Sequence, residues 1–414
     1  MGFIIGALKV IILLGTLIII HEFGHFIVAK ACGIKVLKFS IGFGPKLFKK
    51  QGKETEYSIR ALPLGGFVQL EGEDEDSNDP RSFSNKPAWQ RILVLLAGVT
   101  INIIFALFIY ICINMSTNAY ITAKIADIPQ DSVMQTELSV GDEIYKINGE
   151  RVYNNYDVAR IISKAEEDEF AFEVIGTDGE KRNILIPIPK ETIGYMGVSF
   201  LNDVVYSVQK DSVGEKAGIQ VNDKIISING EENKAVEEYL AMIKANPDKD
   251  LNIIVNRNDE EVSLMVTPQG IARRAFDVDF EIVKDLTVGQ NLHYAINETK
   301  YYLRANLIGL GELFSGNTEN VEVQGIVGIS KQISSTERAV EFFYMMSAIS
   351  LSLGIMNLLP IPGLDGGKIL FTLIEIVRRK PMSRELEGTL TLAGFGLLIL
   401  LMIVVTVGDV ASLF

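Results

Sequence analysis

The chain begins with an apolar run that is long enough to cross a lipid bilayer and that ends in two histidines. Residues 3–20 contain one charged side chain, Lys9, and residues 21–25 read H-E-F-G-H. A helix needs about 20 apolar residues to span the hydrocarbon core, so this run predicts a first transmembrane helix within residues 1–32. In lipid, a spanning segment must pair its backbone hydrogen-bonding groups internally. We therefore expect this part of the chain to be a transmembrane helix.

The rest of the chain repeats this apolar character in separate blocks. Hydrophobic residues make up 48% of the 414 residues, and the mean hydropathy is +0.25. Three further blocks, 90–114, 342–376 and 391–410, are long enough to be membrane segments. We therefore predict a polytopic α-helical membrane protein with four transmembrane helices.

The charges are distributed unevenly between the loops. Residues 30–91 carry 11 Lys/Arg against 8 Asp/Glu, and residues 377–390 carry 4 against 2. Residues 118–341 carry 22 Lys/Arg against 38 Asp/Glu. The positive-inside rule puts the two basic loops in the cytoplasm, so we expect the acidic segment and both termini to be extracytoplasmic. The net charge of −13 argues against a nucleic-acid partner.

The loop 33–89 is too polar to span a membrane and too short for a large domain. Glycines punctuate residues 42–45 and 62–68, and residues 55–60 alternate polar and apolar side chains. This pattern predicts a β-hairpin on the cytoplasmic side. The hairpin can fold back to the membrane, where irregular backbone must line a cavity or pack on protein. An ordinary cytoplasmic hairpin fits the same residues.

The long acidic segment contains an internal repeat. The string GDEIYKING at 141–149 recurs as NDKIISING at 222–230, and the DSV at 131–133 recurs at 211–213. The spacing of about 80 residues suits two small α+β domains, which we assign to 118–192 and 193–280.

The repeated string resembles that of PDZ domains in bacterial proteases. The second copy is the better match, because its residues 194–198 (GYMGV) resemble a carboxylate-binding loop, and this predicts a peptide groove at Gly197 and Val198. The first copy has no such glycine loop near Tyr120 and Ile121, which makes it a degenerate PDZ-like domain.

The region 281–341 reads as an amphipathic connection to the third membrane segment. Leucines and isoleucines recur at helical spacing between Thr287 and Phe314, which predicts a helix that packs on the membrane part or lies on the membrane surface. The glycine-containing stretch 325–329 reads as a turn or a short strand.

The H-E-x-x-H pattern places His21 and His25 one helical turn apart, on one face of a helix, where both rings can bind one metal ion. A catalytic zinc normally has three protein ligands, so a third is needed. His293 is one candidate, but it lies in the polar outer segment. Asp365 is the better one, because the proline- and glycine-rich stretch 357–367 interrupts the third membrane segment beside it. A helix cap is the alternative role for Asp365.

Together these motifs resemble bacterial site-2 proteases, which are intramembrane zinc metalloproteases. The similarity covers essentially the whole chain: H-E-x-x-H in the first span, Gly98-x-x-x-Asn102 in the second, N-x-x-P-x-P-x-L-D-G at 357–366, and PDZ domains between the second and third spans. The last string is the most specific of these. Val99 stands where the family often has proline, which puts any kink at that point in doubt.

The resemblance implies zinc as the cofactor, with His21, His25 and Asp365 as its ligands and Glu22 as the general base. It also implies substrate contacts, which involve two asparagines and the hairpin: Asn102, Asn357, Gly65, Gly66 and Phe67. Hydrogen bonding between helices is the alternative role for the two asparagines.

The function that this resemblance implies is cleavage within or near the transmembrane helices of single-span proteins already trimmed by another protease. Anti-sigma factors and leftover signal peptides are the substrate class, and the bilayer of the bacterial cytoplasmic membrane is the location. Two alternatives remain open: a catalytically silent PDZ scaffold and a metal-ion transporter. The intact Glu22 argues against the first, and the scarcity of polar residues in the spans argues against the second.

Overall fold

The computed structural model describes residues 2–73, 77–130, 132–201, 204–209, 211–258, 260–274, 276–316, 328–330, 333, 338–380 and 382–411. These residues form two compact units. The first combines Met1–Tyr120 with Val283–Phe414, and the second is Ile121–Ile282.

The described helices are α1 Gly2–Ala31, α2 Ala88–Thr117, α3 Asn155–Lys164, α4 Val213–Lys216, α5 Val236–Lys244, α6 Val288–Ser315, α7 Ala339–Asn357, α8 Asp365–Arg378 and α9 Arg384–Ala411. The described strands are β1 Val36–Gln51, β2 Glu56–Leu70, β3 Ala119–Asp127, β4 Glu143–Ile147, β5 Glu150–Arg151, β6 Glu169–Ile175, β7 Lys181–Pro187, β8 Lys190–Tyr195, β9 Val198–Leu201, β10 Val204–Val208, β11 Lys224–Ile228, β12 Glu231–Glu232, β13 Leu251–Arg257, β14 Glu260–Val266, β15 Gln269–Arg274 and β16 Asp279–Lys284.

Four of the described helices contain stretches long and apolar enough to cross a membrane, as expected for a membrane protein of this class. These stretches are Leu8–Ala31, Ala88–Thr117, Ala339–Asn357 and Arg384–Gly408. The first three pack together with α6 around buried side chains that include Leu13, Leu17, Ala106, Tyr110 and Leu351. Close packing of these buried side chains holds the helices that carry the candidate site in fixed positions.

The third predicted segment, 342–376, is interrupted at the proline- and glycine-rich stretch, as the sequence indicates. Helix α7 ends at Asn357, and α8 begins only at Asp365. Pro360 and Pro362 lack the N–H that a helix needs, and Gly363 has φ +102°, which a residue with a side chain rarely adopts. The break therefore places Asp365 in the first turn of a new helix.

The predicted hairpin is present, but each of its strands is bent so that the pair forms four short segments. Ile41 pairs with both Gly66 and Ile59, and Ile59 also pairs with Phe48. The segments therefore lie in the order 66–70, 36–41, 56–60, 46–51. The residues 42–45 and 62–68, predicted as short strands with glycine turns, lie within β1 and β2, and the bends fall at their glycines.

Glycines make these bends possible. Gly42, Gly44 and Gly65 have φ of +85°, +84° and +118°. A Cβ on Gly65 would overlap the ring of Phe43. At the hairpin tip, Lys30 Nζ donates a 2.6 Å hydrogen bond to Glu54 Oε1. This bond, together with Arg81, lowers the pKa of Glu54 to about 2 and ties the hairpin to the end of α1.

The second unit contains the two repeats as two antiparallel sheets. One has the order β14-β13-β11-β10-β9, with β12 beside β11. The other has the order β16-β3-β4-β6-β7, with β5 beside β4. Equivalent aspartates do the same work in both copies: Asp142 Oδ2 accepts from Ser139 N–H, and Asp223 Oδ2 accepts from Gln220 N–H, each at 2.8 Å.

The sheet pairing cuts across the boundary predicted at residue 280. Strand β16 follows the second repeat in sequence, yet it pairs with β3 in the sheet of the first. Strands β8 and β15, which flank the second repeat in sequence, pair with each other. The second copy is thus inserted within the first, which a linear division at 192 and 280 does not capture.

The connecting region begins as predicted. Thr287 caps α6, with its side chain accepting from Gln290 N–H in a capping box. Of the stretch 325–329, residues 325–327 lie outside the described residues.

Candidate metal centre

The two histidines of the H-E-x-x-H motif lie on one face of α1, inside the first membrane-spanning stretch. Their Nε2 atoms are 3.2 Å apart, and both side chains are buried, with relative exposures of 7% for His21 and 8% for His25. The helical spacing of four residues brings the two rings together. Because both rings are buried in an apolar helix bundle, only neighbouring polar groups of the protein can contact them.

Asp365 completes the group from the start of α8. Its Oδ2 lies 3.1 Å from His21 Nε2 and 3.2 Å from His25 Nε2. The turn before α8 is so tight that a Cβ on Gly366 would overlap the carbonyls of Leu358 and Leu359. The helix break is thus what carries the carboxylate to the two rings.

These three donor atoms fit a zinc ion. Ligands about 2.0–2.1 Å from a tetrahedral zinc lie roughly 3.3–3.4 Å from each other. The observed separations of 3.1, 3.2 and 3.2 Å are close to that value. Two imidazole nitrogens and one carboxylate oxygen also form a donor set that zinc prefers, with a fourth position left for water. Among the described residues this is the one such group of three.

The far side of the His25 ring is fixed by the backbone. His25 Nδ1 lies 2.8 Å from the carbonyl oxygen of Val94 on α2, to which it can donate a hydrogen bond. This bond leaves His25 Nε2 free of a proton and directed to the cluster, as a metal-ligating histidine requires.

Gly98 allows α2 to approach this closely. A Cβ on Gly98 would lie 2.5 Å from His25 Nε2 and 2.6 Å from His21 Cε1. No larger residue fits at this position without displacing both rings.

The carboxylate of Glu22 lies between the cluster and the hairpin. Its Oε2 accepts a 3.0 Å hydrogen bond from the backbone N–H of Val68 on β2. An ideal Cβ on Gly66 would be in ordinary van der Waals contact with Glu22 Cγ, at 3.5 Å, so this part of the hairpin packs against the Glu22 side chain. The hairpin therefore positions Glu22 directly.

The two asparagines face different nitrogens of His21. Asn102 is fully buried on α2, with its Nδ2 3.4 Å from His21 Nδ1, on the side of the ring away from the cluster. Asn357 Nδ2 lies 3.4 Å from His21 Nε2, on the cluster side. Asn357 also lines a cavity of about 220 Å³ that contains His21, Glu22 and Asp365.

Of the three hairpin residues predicted to contact substrate, Gly66 lies beside Glu22. Gly65 is at a bend, Gly66 pairs with Ile41, and Phe67 pairs with Ser40. No other strand pairs with the segment 66–70 among the described residues, so it is an edge.

The remaining predicted residues lie elsewhere. His293 is exposed on α6, with its Nε2 3.1 Å from Asn297 Nδ2, and takes no part in the cluster. In the second unit, Gly197 has φ +72° and forms the turn before β9, which begins at Val198.

Sequence reasoning missed the backbone partners of the site. The carbonyl of Val94 and the N–H of Val68 are main-chain groups, and no residue type marks them. Gly98 did leave a signal, because it begins the Gly98-x-x-x-Asn102 pattern of the second span.

Comparison with known proteins agrees with this geometry. The chain is 32% identical to the probable protease eep of Enterococcus faecalis, over 98% of both chains. It is 31% identical to the zinc metalloprotease RasP of Geobacillus kaustophilus, over 98% of this chain and 97% of the relative. It is 28% identical to the regulator of sigma-E protease RseP of Escherichia coli, over 95% of each.

The family description "Peptidase family M50" matches residues 9–401. A match over nearly the whole chain includes the histidine pair on α1 and the aspartate on α8. The chain belongs to peptidase family M50 and is a metalloendopeptidase of the site-2 protease type.

Proposed function

We propose that this protein is an intramembrane zinc protease that hydrolyses peptide bonds within or near the transmembrane helices of pre-trimmed single-span proteins. The observation that carries the proposal is the group of buried His21 and His25 with half-buried Asp365, and Glu22 beside it. The two histidines and Glu22 lie on a helix long and apolar enough to span a bilayer. Ionisable side chains are costly in lipid, so a paired group of this kind in a spanning helix points to function.

His21, His25 and Asp365 would hold the zinc, and Glu22 would act as general base. A bound zinc ion supplies Lewis acidity, which activates water toward a peptide carbonyl at neutral pH. Glu22 would take a proton on its carboxylate and pass it to the leaving amine. In this structure, the Val68 N–H holds that carboxylate beside the hairpin.

The edge segment 66–70 would bind the substrate as an added β-strand. Backbone groups alternate in direction along an antiparallel strand. The N–H of Val68 points to Glu22, while the N–H of Glu71 donates to Lys35 on the inner side. Gly66 and Val68 therefore face outward, and they are the groups that an extended peptide would pair with. Phe67 faces the inner strand with its backbone.

Asn357 would donate a hydrogen bond to the substrate backbone. Its amide lines the same cavity as Glu22 and Asp365 and points to the cluster. An amide N–H in this cavity would stabilise the negative charge that develops on the substrate carbonyl oxygen during hydrolysis.

The two inserted repeats would act as PDZ-type selectors for trimmed substrates, with the peptide groove of the second copy at Gly197 and Val198. Anti-sigma factors and signal-peptide remnants are the substrate class that this role fits. The basic loops favour an orientation in the bacterial cytoplasmic membrane with the repeats and both termini outside. A catalytically silent scaffold would have no need for the Glu22–Val68 contact or the zinc-compatible donor spacing.

The proposal is tested with purified full-length protein in detergent and a model transmembrane substrate. We expect wild type to contain one zinc per chain and to cleave. Glu22→Gln should keep the zinc and lose activity by several orders of magnitude. Asp365→Ala should lose zinc and activity, whereas the control His293→Ala should keep both. Equal cleavage by wild type and Glu22→Gln, or zinc loss in His293→Ala, would contradict the assignment.

A further inference from the structure

Asn102 occupies a position that substrate cannot reach and that the zinc ligand His21 needs. Its side chain is fully buried, and its Nδ2 is 3.4 Å from His21 Nδ1. Its Oδ1 is buried without a hydrogen-bond partner among the described residues. A buried carbonyl oxygen with no donor is costly, so its position requires an explanation.

The chemistry of zinc ligation fixes which ring nitrogen of His21 carries the proton. His21 Nε2 faces the cluster, 3.2 Å from His25 Nε2 and 3.1 Å from Asp365 Oδ2. A ring that binds metal through Nε2 carries its proton on Nδ1, and that N–H needs an acceptor. His25 has such an acceptor in the Val94 carbonyl. For His21, the group beside Nδ1 is the amide of Asn102.

An amide has one end that accepts and one end that donates, and a half-turn about its bond to Cβ exchanges them. Only the oxygen end can accept a proton from His21 Nδ1. We propose that Asn102 is a positioning residue for His21: its Oδ1 accepts the Nδ1–H and keeps Nε2 unprotonated and directed to His25 and Asp365. The Asn102 Oδ1 that lacks a partner is then the acceptor that the His21 Nδ1–H requires.

The surroundings hold Asn102 in place for this role. Ser350 on α7 donates a 2.9 Å hydrogen bond to the Asn102 backbone carbonyl. An ideal Cβ on Gly354 would lie 3.8 Å from Asn102 Cβ, so α7 packs closely against this residue. Asn102 is thus fixed between α1 and α7. This arrangement fits orientation of a ligand better than contact with a substrate peptide.

The inference rests on the proposed zinc site, and the test separates the two. Asn102→Asp keeps an acceptor and removes the donor, whereas Asn102→Leu keeps the shape and removes both. Zinc affinity is measured by chelator competition on the purified full-length protein. We expect Asn102→Asp to keep or tighten the wild-type affinity and Asn102→Leu to weaken it 10- to 100-fold. Asn114→Leu is the matched control, since Asn114 is also buried on α2 but contacts Asn291 instead of the cluster.

Several results would overturn the role of Asn102. These are wild-type affinity in Asn102→Leu, equal weakening in Asn102→Asp and Asn102→Leu, or equal weakening in Asn114→Leu. A wild-type protein that binds no zinc would instead remove the proposed function itself.

A measurement on the unmutated protein guards against variants that do not fold. The chain has three histidines, so ¹⁵N-histidine labelling gives six ring-nitrogen signals. In the zinc-loaded protein, we expect His21 to be protonated at Nδ1 and metal-bound at Nε2. The opposite assignment would refute the proposal without any substitution.

Discussion

Substitution of Gly98 by alanine should strongly weaken zinc binding at the proposed site while leaving α2 intact. The added Cβ would lie 2.5 Å from His25 Nε2 and 2.6 Å from His21 Cε1, where ordinary contacts are at least 3.4 Å. Both rings must then move by roughly 0.9 Å, because the α2 backbone cannot retreat from its other contacts. Zinc ligand distances tolerate about 0.2 Å, so a displacement this large separates the donors.

We expect the zinc affinity of Gly98→Ala to fall at least about 100-fold, or roughly 2.8 kcal/mol, with activity falling in parallel. The fold itself should suffer little. Alanine gains about 1 kcal/mol of helix propensity over glycine, which partly offsets an overpacking cost of about 1–3 kcal/mol. Zinc content and cleavage are measured beside thermal unfolding of the same preparation.

Two glycines provide matched controls. Gly354→Ala adds a Cβ at 3.5 Å or more from Val99, inside the same helix bundle, and Gly309→Ala adds one in open space on α6. Both should keep wild-type zinc and activity. Wild-type zinc affinity in Gly98→Ala, or an equal loss of affinity in Gly354→Ala, would refute the steric argument.

Two further predictions concern substrate binding and selection. Val68→Pro removes the N–H that Glu22 and an added strand both use, so cleavage should fall at least tenfold with unchanged zinc; Val68→Ala, which keeps the N–H, should behave as wild type. Joining Asn118 to Asp285 by a short linker removes 119–284, and so takes β3 together with its partner β16. That variant should keep zinc and cleave substrates with intact outer domains; loss of zinc, or unchanged selectivity, would count against a filter.

The sequence was sufficient to predict the long apolar helices and the residues of the candidate metal group, because both depend on local patterns. The spans are long apolar runs, and the H-E-x-x-H spacing brings His21 and His25 together on any helix. The break before Asp365 was also readable, because two prolines and a run of glycines cannot continue a helix. The structure places these three residues within 3.2 Å of each other.

What the sequence did not indicate depends on contacts between distant backbone segments. The pairing of β16 with β3 joins residues about 160 positions apart, and the repeat pattern alone suggests two consecutive domains. The bends that divide the hairpin into four segments require positive φ at specific glycines, and glycine also occurs in ordinary turns. The Val68 N–H and the Val94 carbonyl have no side-chain signature at all.

Under the proposed function, the contact between Glu22 and Val68 would link substrate binding to the general base. A peptide that pairs with segment 66–70 would compete with Glu22 for the Val68 N–H. A hydrogen bond to a carboxylate is about twice as strong as one to a neutral carbonyl, so a single substrate carbonyl would not win this competition. A peptide that also pairs with Gly66 gains two more backbone hydrogen bonds, which favours displacement of Glu22 from the Val68 N–H. Under this proposal, only an extended segment covering both residues would release Glu22, and an intact substrate helix, whose backbone groups are paired internally, would not.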